Sequence, residues 1–204
     1  VTLRIRGFEI RLLAPLPRLC IAHKDIDRAC CSTTIVEFSA DGIDPGSAAL
    51  IAALPAKLSG HVVDLGAGWG LLAHAALERG AASVDLVEAD HAALEAARQN
   101  LPDARAQFHW ADARRFQPET TPKHVVCNPP FHTSRTADPA LGQAVIRNAR
   151  AILPRHGTLW LVANRHLPYE RTLDEAFASL QTLDETAGYK IIRAERPRLP
   201  STGN

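Results

Sequence analysis

The chain contains no methionine and opens on Val1, so an alternative start read as valine and a missing upstream piece both stay open. No run of about eighteen apolar residues occurs, which excludes a membrane-spanning helix. Nor does a basic, apolar and small-residue succession open the chain, so no secretion signal is expected and the cytoplasm is the expected location. An excess of one charge is missing too: 23 Lys and Arg stand against 22 Asp and Glu, a formal net charge of +1. Non-specific attraction to nucleic acid is therefore weak, and an RNA-binding role needs a local basic surface. The four cysteines, Cys20, Cys30, Cys31 and Cys127, form no CxxC pair and no zinc-ligand spacing, which points to reduced structural thiols and no metal. Internal repeats, low-complexity segments and long linkers are lacking. What remains is 204 residues of which 46% are apolar, enough to bury one core and most naturally one α/β domain.

The most informative stretch is His61-Val-Val-Asp-Leu-Gly-Ala-Gly-Trp-Gly70. Two β-branched residues run into Asp64, glycines follow at 66, 68 and 70, and apolar residues then recur at helical spacing from Leu71. A strand, a tight glycine turn and a helix result, and such a turn brings backbone N–H groups and a helix N-terminus close to a ligand. Dehydrogenases and flavoproteins also use turns of this kind, so the turn alone does not name the ligand. A second strand-like run, Ser83–Val87, ends in Glu88, where an acidic side chain reaches the hydroxyls of a ribose lying across the first turn.

The rest of the chain alternates regularly. Val1–Leu13 predicts two short strands around a glycine turn, with Arg4 and Arg6 on the solvent face. Residues 14–35 read as a loop or irregular insertion. A turn-rich segment from Glu37 leads into a helix at about 47–58. Strands at 61–66, 83–88, 106–110, 124–128 and 158–163 are separated by helices around 70–79, 91–100, 137–153 and 171–180, except that a loop, Ala111-Asp112-Ala113, follows the third strand. Strand-like runs near 181–186 and 189–194 close the domain, and residues 197–204 read as a frayed tail. This order predicts parallel βαβ units with right-handed crossovers, whose ligands bind at the carboxyl ends of the strands. Asp64, Glu88, Asp112, Asn128 and Asn164 all fall at or near that one edge.

The succession Asp64-x-Gly-x-Gly-x-Gly70, then Glu88, then Asn128-Pro129-Pro130-Phe131 resembles the class I S-adenosylmethionine-dependent methyltransferases of the methyltransferase small family. Their fold is Rossmann-like: a mostly parallel sheet with helices on both faces and an antiparallel C-terminal strand. Here a short N-terminal hairpin is added, dividing the chain at 1–35, 36–196 and 197–204. The resemblance implies S-adenosylmethionine held by Asp64, Gly66, Gly68, Gly70, Glu88, Asp112 and Asn128, with Trp110 or Phe108 near the adenine. It also implies that Phe38, Ser39, Asp44 and Ser47 help cover the methionine end of the cofactor; helix capping by Asp44 and Ser47 is the alternative.

Catalysis falls to Asn128, Pro129, Pro130 and Phe131. An exocyclic amine or amide nitrogen is a poor nucleophile because its lone pair is delocalised. Asn128 and the Pro129 carbonyl can accept its N–H bonds, the prolines stiffen the loop, and Phe131 offers a stacking face. Phe131-His132 and Val162-Ala-Asn-Arg-His-Leu-Pro-Tyr169 resemble the rRNA guanine-N2 methyltransferases, the small-subunit type more closely. That resemblance implies Phe131, His132, Asn164, Arg165 and His166 as substrate contacts. It also implies ribosomal RNA or an assembled small subunit as partner, for a monomer. Another amino nitrogen (adenine N6 or protein glutamine N5) and a catalytically silent RNA-binding module are the competing expectations. Such enzymes usually carry a further N-terminal domain.

Overall fold

The computed structural model describes residues 2–5, 8–11, 44–129, 132–133, 136–137, 139–186 and 188–198. Seven strands form the central sheet: β3 (Gly60–Leu65), β4 (Ala81–Glu88), β5 (Ala106–Trp110), β6 (His124–Cys127), β9 (Thr158–Asn164), β10 (Phe177–Thr186) and β11 (Tyr189–Pro197). Their spatial order is β10-β11-β9-β6-β3-β4-β5. The five strands from β9 to β5 run parallel, whereas β11 is antiparallel to both β9 and β10. This is the expected Rossmann-like methyltransferase architecture. The terminal hairpin inserts its second strand next to β9 and leaves β10 as the sheet edge. Two small hairpins lie apart: β1 (Thr2–Ile5) with β2 (Phe8–Arg11), as the alternation at the N-terminus predicts, and β7 (His132–Thr133) with β8 (Thr136–Ala137).

Side chains alternate across a strand, and both faces of a parallel sheet are covered, so near-continuous apolar strands divide between two cores. Val62, Val84, Leu86, Val126 and Val162 pack under α1 (Pro45–Ala53) and α2 (Leu71–Glu78), with Ala97 and Leu101 from α3 (His91–Asn100) and its C-cap. Val63, Leu65, Val87, Val125, Leu159 and Leu161 face α4 (Pro139–Ile152) and α5 (Glu170–Ala176). In α4 the buried residues Gly142, Val145, Ile146, Ala149 and Ile152 recur every three or four positions, which makes one continuous face.

Three departures from the expected elements have local causes. Helix α1 stops at Ala53, short of 58, because Leu54 precedes Pro55 and is held extended (φ −62, ψ 145). Helix α5 stops at Ala176, short of 180, because the chain from Phe177 pairs with β11 along its length. The spacing of Leu173, Ala176 and Leu180 suits a helix, but the ladder and the burial of Phe177 override it. At this same end of the ladder, where Phe177 pairs with Pro197, Arg198 is held by bonds to Ala176 O, Asp174 O and Phe177 O, so ordered packing continues past Pro197.

Candidate active site

The glycine turn is sewn to the end of β4. The N–H groups of Gly66 and Ala67 both donate to Val87 O, at 2.9 and 3.0 Å, and Gly66, Gly68 and Gly70 have φ of 80, 54 and 92. Only glycine adopts that left-handed region freely. The glycines are not equivalent. A Cβ on Gly70 would lie 3.2 Å from Leu86, a packing constraint, whereas a Cβ on Gly68 would meet nothing within 4 Å. Gly68 therefore borders open space, as a ligand cradle requires.

Glu88 sits beside this turn. Its Oε2 accepts the Gly68 N–H at 2.9 Å and its Oε1 the Asp90 N–H at 2.8 Å. Each carboxylate oxygen keeps a further lone pair, so both can also accept a hydroxyl proton. Asp64 is placed otherwise than expected: it lies behind the turn, fully buried. Its Oδ2 accepts the Ala73 N–H at 3.0 Å and so caps α2, whose N-cap residue Gly70 has no side chain to do so. Its Oδ1 is buried with no partner among the described residues. Burial raises the Asp64 pKa to about 8, opposed by the Ala73 N–H and assisted by the charge of Glu88.

Strand register sets Glu88, Gly66 and Asn128 side by side on β4, β3 and β6, since Val87 pairs with Leu65 and Leu65 with Cys127. Two strand spacings, about 10 Å, separate Glu88 from Asn128. The Asn128 side chain turns toward the start of α1. Its Nδ2 donates to Asp44 Oδ2 at 2.8 Å and to Ser47 Oγ at 2.9 Å. Asp44 Oδ2 also accepts the Ser47 N–H at 2.7 Å as the N-cap of α1. The capping alternative for Asp44 is thus realised together with a contact, 84 residues distant in sequence, that local pattern does not announce. Both amide protons of Asn128 are consumed, which leaves its Oδ1 as the free acceptor.

Asp112 and Asn164 have their side chains engaged locally. Arg114 Nε and Nη2 donate to both Asp112 oxygens at 2.7–3.0 Å, and this pairing holds the carboxyl below its usual range. Asn164 Oδ1 accepts the His166 N–H at 3.1 Å and builds its own turn. That turn is clamped from the C-terminal hairpin: Arg165 N–H donates to Gly188 O, and the buried Lys190 ammonium donates to Leu167 O at 2.7 Å and pairs with Glu170. Arg165 and His166 are exposed, with Arg165 3.7 Å from Glu185. Trp110 is 68% exposed, and its Nε1 donates to Ala89 O at 2.9 Å, at the rim next to Glu88. Cys127, buried against Leu65 O, has its thiol pKa pushed well up by burial, consistent with a structural thiol. Pro129 is buried. Phe38, Ser39, Pro130, Phe131 and the His132 side chain lie outside the described residues.

The open space at Gly68 and the spare acceptors of Glu88 fit a ligand offering ribose hydroxyls, as S-adenosylmethionine does. Among the described residues no three His, Cys, Asp or Glu gather as a metal site would require.

A family model described as methyltransferase small domain matches residues 31–193. Curated relatives include ribosomal RNA large subunit methyltransferase G of Ectopseudomonas mendocina, 33% identical over 165 residues, and of Pseudomonas syringae pv. tomato, 34% identical. Each alignment covers 78% of this chain and 44% of the relative, so the chain spans less than half the length of those proteins. Among solved structures, the T. thermophilus 16S rRNA N2 G1207 methyltransferase (RsmC), in complex with AdoMet and guanosine, matches with a TM-score of 0.70 and 29% identity, over 96% of this chain and 50% of that one. The N-methyltransferase NodS of Bradyrhizobium japonicum shares the fold, with a TM-score of 0.58 at 13% identity over 76% of this chain and 89% of that one.

Proposed function

The chain belongs to the methyltransferase small domain family, whose cofactor is S-adenosylmethionine, and from that premise we propose that it methylates the exocyclic N2 of a guanosine in ribosomal RNA. The observation that carries this reading is Asn128. With both amide protons held by Asp44 and Ser47, it can only accept, and it stands at the strand edge beside the glycine turn and Glu88. An outward acceptor suits a target that donates, such as an amino group, and disfavours one that only accepts. The names of the relatives, which concern the large and the small subunit, support ribosomal RNA as the substrate class and leave both subunits to be tested.

When bound, the cofactor supplies a methyl group on a positively charged sulfur. Glu88 accepts from the ribose hydroxyls, and Gly68 leaves room for the ligand to lie against the turn. Asn128 Oδ1 and the Pro129 carbonyl accept the two N–H bonds of the amine, which pulls density onto nitrogen and aims its lone pair out of the base plane. Positioning and exclusion of water supply the rate, and the proton leaves to solvent after transfer. Phe131 and His132 would receive the extruded base, Asp112 would accept from the adenine amino group in addition to Arg114, and the Asn164 turn would present Arg165 and His166 to RNA phosphate. Residues 36–196 constitute the methyltransferase domain in this reading, preceded by the 1–35 extension, and Pro197 and Arg198, which the sequence puts in the 197–204 tail, pack on it.

The test is product identity. The chain is incubated with labelled cofactor and, in parallel, 16S and 23S rRNA, assembled small and large subunits, and a glutamine-bearing protein; the products are then digested. Label in N2-methylguanosine supports the reading, and the productive arm names the subunit. Label only in N6-methyladenosine or methylglutamine overturns it.

A further inference from the structure

We infer that Asp44, together with Ser47, is a positioning residue for the transfer: it locks the Asn128 amide with its oxygen outward and so selects a nitrogen that donates. The inference rests on the amine-methylation reading and adds a second layer to it. An asparagine amide presents an oxygen on one side and an NH2 on the other, and rotation by 180° about its last bond exchanges a site that accepts for one that donates. Nothing in Asn128-Pro-Pro-Phe131 itself chooses between them. The choice is made from α1. Asp44 Oδ2 at 2.8 Å and Ser47 Oγ at 2.9 Å both face Nδ2. In the rotated amide a carbonyl oxygen would face that carboxylate at the same distance, two acceptors with no proton between them.

The lock is itself braced. Ser47 is buried, and its N–H donates to the same Asp44 oxygen at 2.7 Å. Gly46 is free of a side chain where Tyr189 packs: a Cβ there would lie 2.9 Å from the Tyr189 ring and 3.2 Å from Asp44 Oδ2. Tyr189 opens β11 opposite Asn164, so the hairpin that clamps the Arg165 turn also walls the niche holding Asp44. A charged acceptor behind the amide polarises it and strengthens Oδ1 as an acceptor, where an amine nitrogen gains positive charge during transfer.

The test separates this role from helix capping. Asp44→Ser keeps a good N-cap but is too short to reach Asn128. In the full chain, the Asn128 side-chain NH2 signals in a 15N–1H spectrum should be well separated and slow to exchange, and in Asp44→Ser they should collapse toward free-amide behaviour. Unchanged signals would overturn the lock whatever the substrate proves to be. For transfer, Asp44→Ser should lower kcat by about ten- to a hundredfold, leave cofactor affinity and thermal midpoint near wild type, and have less than about a twofold effect when added to Asn128→Ala. Losses that multiply in the double variant, or an unchanged kcat, would show Asp44 to be a cap alone. Absence of label from every RNA with the wild-type chain would end the guanosine reading while the amide signals still decide the lock.

Discussion

The parallel sheet contains two polar islands, and they are built to opposite rules. One is the edge described above: Glu88 and Asn128, each with an acceptor left over, with Asp64 buried behind the glycine turn. The other lies lower on β3, β4 and β5, where His61 Nδ1 is 2.8 Å from Ser83 Oγ and His61 Nε2 is 3.1 Å from Asp85 Oδ2. His109 Nε2 is 3.2 Å from Asp85 Oδ1, within ion-pair range though not aligned for a hydrogen bond. A serine, a histidine and an aspartate in contact resemble a nucleophilic triad. Here they are turned inward: the His61 and Asp85 side chains are only 5% and 4% exposed, and His109 packs on Phe116. The closed island uses its polar valences on itself and ties three strands together. The open island leaves some of them unused.

Titration separates the two islands as clearly as geometry does. Burial raises both carboxyls. At Asp64 nothing cationic opposes it and the pKa reaches about 8. At Asp85 burial is outweighed by the His61 and His109 imidazoles, and the pKa falls below its usual value.

The largest effect that would sharpen this contrast is on turnover. Asn128→Ala should cost about a hundredfold or more in kcat, with cofactor affinity within a few-fold, because one acceptor in the transition state is lost; single-turnover transfer at the wild-type rate would remove Asn128 from the chemistry. Next comes Glu88→Ala, expected to weaken S-adenosylmethionine binding by about 1.5–3 kcal/mol, ten- to a hundredfold, by calorimetry. In the closed island Asp85→Asn should leave transfer unchanged and lower stability by about 1–3 kcal/mol in denaturant melts; a loss of turnover at unchanged stability would break the division between the islands.

The pH dependence of stability should differ in sign. The raised Asp64 pKa means that the fold holds that proton more tightly than the unfolded chain, so its contribution is complete below pH 3.8 and is lost as pH rises toward about 8. Asp64→Asn should flatten that decline in the ligand-free protein. For Asp85 the contribution is present above the usual carboxylate pKa and is lost on acidification, and Asp85→Asn should reduce acid sensitivity. The smallest effect expected is at Arg165: its alanine variant should weaken RNA association only modestly and reduce the salt slope by about one.

Most of the sheet was legible because apolar runs alternating with helical spacing report burial on both faces. Helix α3 and strand β5 fall where periodicity puts them, at His91–Asn100 and Ala106–Trp110. The C-terminal hairpin was less legible: 171–180 has helical spacing, and only pairing with β11 turns Phe177 onward into a strand. The left-handed turn at Gly68 and the place of Glu88 at the end of β4 were readable from turn chemistry and strand-end position. The inward setting of Asp64 was not, since an acidic residue before a glycine turn looks the same whether it faces a ligand or caps the next helix.

By itself the sequence determined the order of strands and helices, the glycine turn, the acidic strand end and the Asn-Pro-Pro-Phe signature, because each is written in contiguous residues whose backbone preferences and apolar period act locally. Tertiary structure alone decided which way Asn128 faces, which carboxylate keeps its proton and which polar cluster is closed. Each of those depends on partners brought together from distant segments, Asp44 and Ser47 at Asn128, Ala73 at Asp64, His61 and His109 at Asp85. Hydrogen-bond direction and desolvation are properties of that assembled neighbourhood and not of any stretch of chain.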